Sequence, residues 1–309
     1  LDPLEDWRTL RELRGLMQER EPDVVLAYTA KPVIYGTVAA AWASVPLRAA
    51  MISGRGSALA GGAGLKRRLL ARLTQTMYAV ALRGAHVVFF QNPDDEMLFR
   101  SQGLVGRNQH RVRINGSGVD LEHFAPAPLP DGPLTFLMVG RLLREKGVRE
   151  YADAARRVRS GGASVRFQHL GGVDANPGSI SEAELAGLQA DGNVEYSGWV
   201  TDVRPIIAGS HVVVLPSYHE GTPRSVLEGM SMGRAVITTD VPGCRETVEP
   251  GRNGVLVPAR DPDALARAML DMVAQPELVS EMGRESRRLA EERYDVHAVN
   301  RVILRALGL

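Results

Sequence analysis

Two glutamates with seven residues between them bracket the segment Glu220-Gly221-Thr222-Pro223-Arg224-Ser225-Val226-Leu227-Glu228. Thr222 is placed to cap a helix and Pro223 to occupy its first position. A helix start presents backbone N–H groups that attract an anion, while Glu220 stays in the loop before it. Glu228, more than a turn into the helix, suits the two vicinal hydroxyls of a ribose. The same carboxylates would also favour an ordinary helix N-terminus. Further upstream, Gly140-Arg141-Leu142-Leu143-Arg144-Glu145-Lys146-Gly147 follows an apolar run. Gly140 permits a tight turn, Arg141 can grip a diphosphate bidentately, and Lys146 adds a point charge. A solvated charged loop would carry the same residues.

Two weaker groupings accompany these. Gly198-Trp199-Val200 offers an aromatic ring and backbone groups to the edge of a planar base, and a core tryptophan would look the same. Asn115-Gly116-Ser117-Gly118-Val119-Asp120 is a glycine-rich turn able to point N–H groups at a ligand.

The elements that must position these residues alternate between strand and helix. The apolar stripe Leu10, Leu13, Leu16 and Met17 predicts a helix over Leu4–Arg20. Short apolar runs predict strands at Val24–Leu26, Arg48–Ile52 and His86–Phe90, with helices at Val33–Ser44, Leu65–Arg83 and Pro93–Ser101. Residues 121–133, with prolines at 126, 128, 130 and 133, read as a linker. Beyond it the alternation restarts with strands at Leu134–Val139, Val165–Leu170, Val194–Tyr196, Val212–Leu215 and Ala235–Thr238. Helices are expected at Val148–Ser160 and Pro223–Met232, and more helices close the chain. This pattern belongs to α/β domains with parallel sheets, which bind ligands beyond their strand ends. The expected organisation is a partial domain over 1–120, a nucleotide-binding domain over 134–294, and a helix over 295–309 that crosses back to the first domain. With about three strands, the first domain is expected to lack its opening βα elements.

Composition narrows the function classes. The 309 residues suffice for two domains, and 37 Lys and Arg against 36 Asp and Glu give no global attraction to nucleic acid. A single cysteine, Cys244, makes no internal disulfide and reads as a small filler. The seven histidines have no metal-ligand spacing, and His219 is the one beside the glutamate pair. No signal peptide or pyridoxal phosphate motif is present, and the expectation is a protein without metal or cofactor, in the cytoplasm.

Taken together, the motifs over 112–258 resemble retaining glycosyltransferases of family 4, which have the GT-B fold of two Rossmann-like doubly wound domains facing a cleft. The resemblance rests on Gly140-Arg141 with Lys146-Gly147, on Glu220 and Glu228, and on Asn115-Gly116 with Val119-Asp120. It extends to Gly243 with Glu246 and to Asn253-Gly254. It implies transfer of a hexose from a nucleotide sugar, with retention and without a bound metal. Arg141 and Lys146 would then neutralise the donor diphosphate, Glu228 would hold the ribose and Glu220 the hexose. The loop Gly221-Thr222-Pro223-Arg224 would cover the phosphates, with Trp199 and Val200 at the base.

The first domain resembles members that extend undecaprenyl-diphosphate-linked sugars, often from UDP-N-acetylhexosamines. The residues are Tyr28–Gly36, Ser53-Gly54-Arg55-Gly56-Ser57 and Phe90–Asp95. Thr29 and Lys31, with Asn115 and Gly116, would face the acceptor. The family's His-x-His is absent, with Ala27–Thr29 in its place, and so is its N-terminal glycine-rich loop. Lys66, Arg67 and Arg68 open a basic amphipathic helix that suits either an anionic membrane surface or solvent. Two other readings stand beside the transferase: a nucleotide-sugar-binding module without turnover, and a GT-B-fold UDP-sugar 2-epimerase.

Overall fold

The computed structural model describes residues 3–54 and 64–309. Two compact units emerge, Leu1–Gly116 with Val299–Leu309, and Ser117–Ala298. The Arg55–Ser57 part of the Ser53–Ser57 motif lies outside the described residues, as do the side chains of Lys66 and Arg67.

Among the described residues the first unit has four parallel strands, β1 (Val24–Tyr28), β2 (Leu47–Ile52), β3 (Val87–Phe90) and β4 (His110–Arg113), in that spatial order. Each step runs in the same direction, so right-handed crossovers place the connecting helices on one face. There Val33, Ile34, Tyr78, Leu82 and Phe99 bury the sheet side chains Ala50, Val88 and Phe90. The opposite face buries Ala49, Met51, Val87 and Phe89 with Val299 and Leu307 of the helix Val296–Leu307. Strand β4 corrects the expected count of about three. His110-Arg111-Val112-Arg113 has one apolar residue and a single strand neighbour, so no hydrophobic run marks it.

The second unit has six parallel strands: β5 (Leu134–Val139), β6 (Val165–Leu170), β7 (Glu195–Tyr196), β8 (Val212–Leu215), β9 (Ala235–Thr239) and β10 (Gly254–Val257). Their spatial order is β10-β9-β8-β5-β6-β7, so the chain reverses direction between β5 and β8. The reversal puts helix Val148–Ser160 on one face and helix Arg224–Ser231 on the other. Strand residues divide accordingly: Val212, Val214 and Ile237 face one core, and Val213, Leu215 and Val236 the other. Burial on both faces is why these strands read as unbroken apolar runs. Crossovers diverging from β5 and β8 leave a crevice at their carboxyl ends, and the loops there are the ones singled out above.

The proline-rich stretch lies within the second unit, downstream of the Gly116–Ser117 division. Its prolines lack N–H groups, so only carbonyls are left to pair, and the unit supplies donors for them. Ser231 donates to the Phe124 carbonyl at 2.7 Å, and buried Arg234 donates to Ala127 and Pro128 at 3.1 Å each. His211 Nδ1 accepts from the Thr135 N–H at 3.1 Å, which leaves the Nε2 proton to reach the Pro130 carbonyl at 3.0 Å.

Candidate functional site

At the end of β5 the chain turns through Gly140 and Arg141 into a short 3-10 turn, Arg144–Lys146, closed by Gly147 at φ 77°. A side chain at Gly147 would put its Cβ 2.2 Å from the Pro216 carbonyl oxygen, just beyond β8. Only glycine allows the β5 and β8 loops to approach so closely. The approach brings Lys146 Nζ onto Glu220 Oε1 in a direct ion pair. The buried Ser217 donates its hydroxyl to the same oxygen at 2.7 Å. From the other side Gly243, at φ 84°, lies under Glu220, where a Cβ would meet the Glu220 carbonyl oxygen at 2.3 Å. The Glu220 N–H also bonds the Pro242 carbonyl at 3.1 Å. Thus Glu220 has one carboxylate oxygen committed to Lys146 and Ser217, and a backbone fixed from β9's side.

Tyr218 stitches the same loop down. Its N–H reaches the Glu145 carbonyl at 2.9 Å, and its hydroxyl donates to Glu150 at 2.7 Å. Arg260 covers the ring at 4.4 Å from its centroid. Burial and the Glu150 carboxylate push the Tyr218 phenol up to about 12. Tyr218 escaped sequence reasoning because Glu150 lies 68 residues away, and Ser217 because no motif marks its contact with Glu220, three residues on. The run Pro216-Ser217-Tyr218 immediately before Glu220 was the available signal.

Helix Arg224–Ser231 starts one residue later than its sequence suggests. Pro223, not Thr222, is the N-cap, with extended ψ of 111°, and its own ring offers no capping acceptor. Pro223 has no N–H and thus suits the boundary, while its carbonyl accepts from Val226 and Leu227 at 3.1 and 3.2 Å. The helix thus starts beside the loop that holds Glu220. On the same helix the Glu228 side chain is nearly buried, with Arg224 Nη2 at 3.6 Å. Desolvation raises its pKa, and Arg224 offsets part of that rise. A carboxyl raised in the folded state favours folding below its unfolded pKa, and that contribution is lost as pH rises through the folded value. Glu228→Gln should therefore melt above the native protein at pH 7. The gap should close as pH falls through the carboxylate range; a constant gap in thermal melts from pH 4 to 8 would contradict the assignment.

The remaining sequence candidates are placed as follows. Arg141 is paired to Asp174 at 2.7 Å and its side chain is 58% exposed. Asp174 sits below the usual carboxylate range, first through the Asn176 N–H and then through Arg141. Sequence reasoning missed Asp174, 33 residues away. Trp199 is 79% exposed, which removes the core-filler alternative, while Val200 packs against the core beneath. The Gly198 carbonyl before it accepts from Gly171 at 2.7 Å, joining the loops after β6 and β7. Thr29, Lys31, Asn115 and Gly116 belong to the first unit. Thr29 stands at φ 71° and ψ 166° at the end of β1, a strained backbone for a β-branched residue, and Lys31 reaches Asp6 at 3.5 Å. His219 lies 3.8 Å from Glu145. Cys244 is fully buried next to Glu220, and burial then that carboxylate push its thiol up to about 12. Among the described residues no three His, Cys, Asp or Glu side chains are grouped to hold a metal ion.

Comparison with known proteins shows what the chain is similar to. Residues 133–275 match the family described as glycosyl transferases group 1. The chain is 28% identical over 268 residues to the N,N'-diacetylbacillosaminyl-diphospho-undecaprenol alpha-1,3-N-acetylgalactosaminyltransferase of Campylobacter jejuni, covering 82% of this chain and 69% of that one. It is 25% identical over 283 residues to the UDP-Gal:alpha-D-GlcNAc-diphosphoundecaprenol alpha-1,3-galactosyltransferase of Escherichia coli, covering 86% and 70%. The first curated relatives are matched over 54 to 70% of their own length. Among solved structures, Anabaena HepE in complex with UDP superposes with a TM-score of 0.78 at 19% identity, over 97% of this chain and 81% of that one. The expected α/β architecture is thus the one observed. The chain has the GT-B fold of its structural neighbours, and its residues 133–275 are similar to glycosyl transferases group 1.

Proposed function

We propose that the protein transfers a hexose, such as an N-acetylhexosamine, from a UDP-sugar to a sugar carried on a polyprenyl diphosphate, with retention at the anomeric carbon. The observation that carries this reading is the Lys146–Glu220 pair at the β5/β8 crevice, beside the start of helix Arg224–Ser231. A departing diphosphate gathers negative charge, and donors already aimed at it lower the barrier without waiting for solvent to reorganise. Lys146, the Arg224 end of the helix and the Gly221-Thr222-Pro223 loop supply such donors. No bound metal is invoked. Glu228 takes the ribose hydroxyls, Trp199 and Val200 the base, and the second oxygen of Glu220 faces the hexose. Thr29, Lys31, Asn115 and Gly116 are assigned to the acceptor. Two relatives whose names carry diphospho-undecaprenol acceptors and α-1,3 linkages support the substrate class, and one of them names UDP-Gal as donor.

Calorimetric titration with UDP tests the donor site. Arg141 must exchange Asp174 for phosphate, so Arg141→Ala should weaken UDP binding by about 1–2 kcal/mol, the scale of one charge-assisted hydrogen bond less its competitor. Unchanged affinity would remove Arg141 from the site. Incubation with UDP-sugar alone separates the alternatives: transfer needs an acceptor, epimerisation does not, and a binding module changes neither. Ser217→Ala should lower kcat about tenfold while UDP affinity stays within about twofold, because Ser217 orients Glu220 and does not reach the nucleotide. An unchanged kcat would show that Lys146 alone orients the carboxylate.

A further inference from the structure

The Asp174 contact on Arg141 is built more firmly than a surface ion pair requires. Gly171, just after β6, stands at φ 139°, and a Cβ there would lie 2.0 Å from the Gly140 carbonyl oxygen. The loops after β5 and β6 therefore touch backbone to backbone, which only glycine permits. Their pairing continues outward. Leu142 donates its N–H to the Gly172 carbonyl at 3.0 Å, and Ile180 donates to the Leu142 carbonyl at 2.9 Å. Arg144 adds two bonds, from its N–H to the Gly178 carbonyl at 2.9 Å and from Nη1 to the Ser179 carbonyl at 2.7 Å. Within this frame Asp174 is aimed by its own turn. Its Oδ1 accepts the Asn176 N–H at 2.7 Å, and its N–H reaches Ser179 Oγ at 3.3 Å. The other carboxylate oxygen, Oδ2, accepts from Arg141 Nη1 at 2.7 Å.

An exposed pair of long side chains contributes little, because both must be ordered to meet. Here the carboxylate is short and already fixed, so only the arginine loses freedom. Asp174 presents to Arg141 an anionic oxygen of the kind a phosphate carries. We propose that Asp174 is a built-in competitor for the donor diphosphate. It holds Arg141 while the site is empty, yields it to the bound nucleotide, and takes it back as the product nucleotide leaves. The inference rests on the donor-site reading and adds to it a positioning residue, acting through Arg141, that sets how readily the site empties. Two effects act in the same direction. A ligand that needs Arg141 binds only as tightly as the fraction of arginine not held by Asp174 allows. Once the sugar has gone, the nucleoside diphosphate also carries one more negative charge than its sugar ester did. A carboxylate beside the phosphates repels the more charged molecule more strongly. Asp174 therefore weakens product binding more than donor binding, which opposes product inhibition.

The test is calorimetric titration of UDP into the native chain and Asp174→Asn, with thermal melts alongside. Asparagine keeps an oxygen for the Asn176 N–H and removes the charge. Asp174→Ser, whose hydroxyl can close the same turn, is the second charge-free variant. Both should bind UDP about three- to tenfold more tightly, the range open to a competitor that holds most of the arginine population. Uridine has no phosphate to contest Arg141, and its affinity should stay within about twofold of native. In an Arg141→Ala background the gain from Asp174→Asn should shrink to less than about twofold, as an effect carried through the arginine requires. In turnover, the inhibition constant for UDP should fall by the same factor as its Kd, and KM for the UDP-sugar should fall less. A purely structural Asp174 predicts the opposite sign, because loosening the loop against Arg141 would weaken binding. UDP affinity unchanged or weaker in the folded variants, with Arg141→Ala still weakening it, overturns the proposal and leaves the donor site standing. A gain that persists in full without Arg141 overturns it as well, and so does loss of folding in both variants. If the native protein binds no UDP, the donor-site reading falls and this inference with it.

Discussion

Lys146→Met is expected to lower kcat/KM for sugar transfer by about 10²–10³-fold, the scale on which single preorganised donors act on a developing anion. The reason is geometric. Lys146 is delivered to the crevice by a 3-10 turn closed at Gly147, and its charge lies against Glu220 before any substrate arrives. Stability should fall much less, by about 1–2 kcal/mol, because Ser217 still bonds the Glu220 oxygen that loses its cation. The double variant Lys146→Met/Glu220→Gln should recover that stability, since neither charge is then left alone, but not the activity. Lys146→Arg should not restore the rate, because a planar fork cannot replace a compact ammonium on a crowded carboxylate. Steady-state kinetics with thermal melts on the three variants decide the matter. If Lys146→Met keeps more than a third of the native kcat/KM, the pair is structural.

The second large effect is expected at Gly147. An alanine there needs φ near 77° and would place its Cβ 2.2 Å from the Pro216 carbonyl oxygen. Backbone at both ends of that contact leaves no flexible side chain to move aside. Gly147→Ala should therefore cost roughly 2–4 kcal/mol in urea unfolding, and the loops of β5 and β8 should separate. Because Lys146 and Ser217 flank the contact, UDP affinity should fall with stability. Gly162→Ala is the control: it also has positive φ, 80°, but no heavy atom lies within 4 Å of its Cβ. It should show the backbone strain alone and leave UDP binding intact. Equal losses at the two glycines would mean that the close approach has no energetic weight.

These effects depend on contacts between segments distant in sequence, and that separation divides what the sequence determined from what only folding decided. Strands β5, β8 and β9 were legible, because burial on both sheet faces requires consecutive apolar residues in one short stretch, whereas β10 was not expected from the sequence. So were Gly140, Lys146, Glu220 and Glu228 as candidates, since turn glycines and the spacing of charges around a helix start are local features. The resemblance to glycosyltransferases rested on the same local spacing. Strand β4 was not legible: at a sheet edge, His110–Arg113 needs no apolar run, and only its pairing with β3 defines it. The sequence pointed to Thr222 as the cap, whereas Pro223 holds that place in the folded chain. Lys146 and Glu220 are 74 residues apart, so their contact had no local trace. Tertiary structure also decided that Ser217 joins the pair, that Asp174 occupies Arg141, and that Trp7 meets Trp42. Residue type and spacing determine which groups are available for chemistry; which of them meet depends on how parallel strands order in the sheet, a choice made by the burial of the whole core.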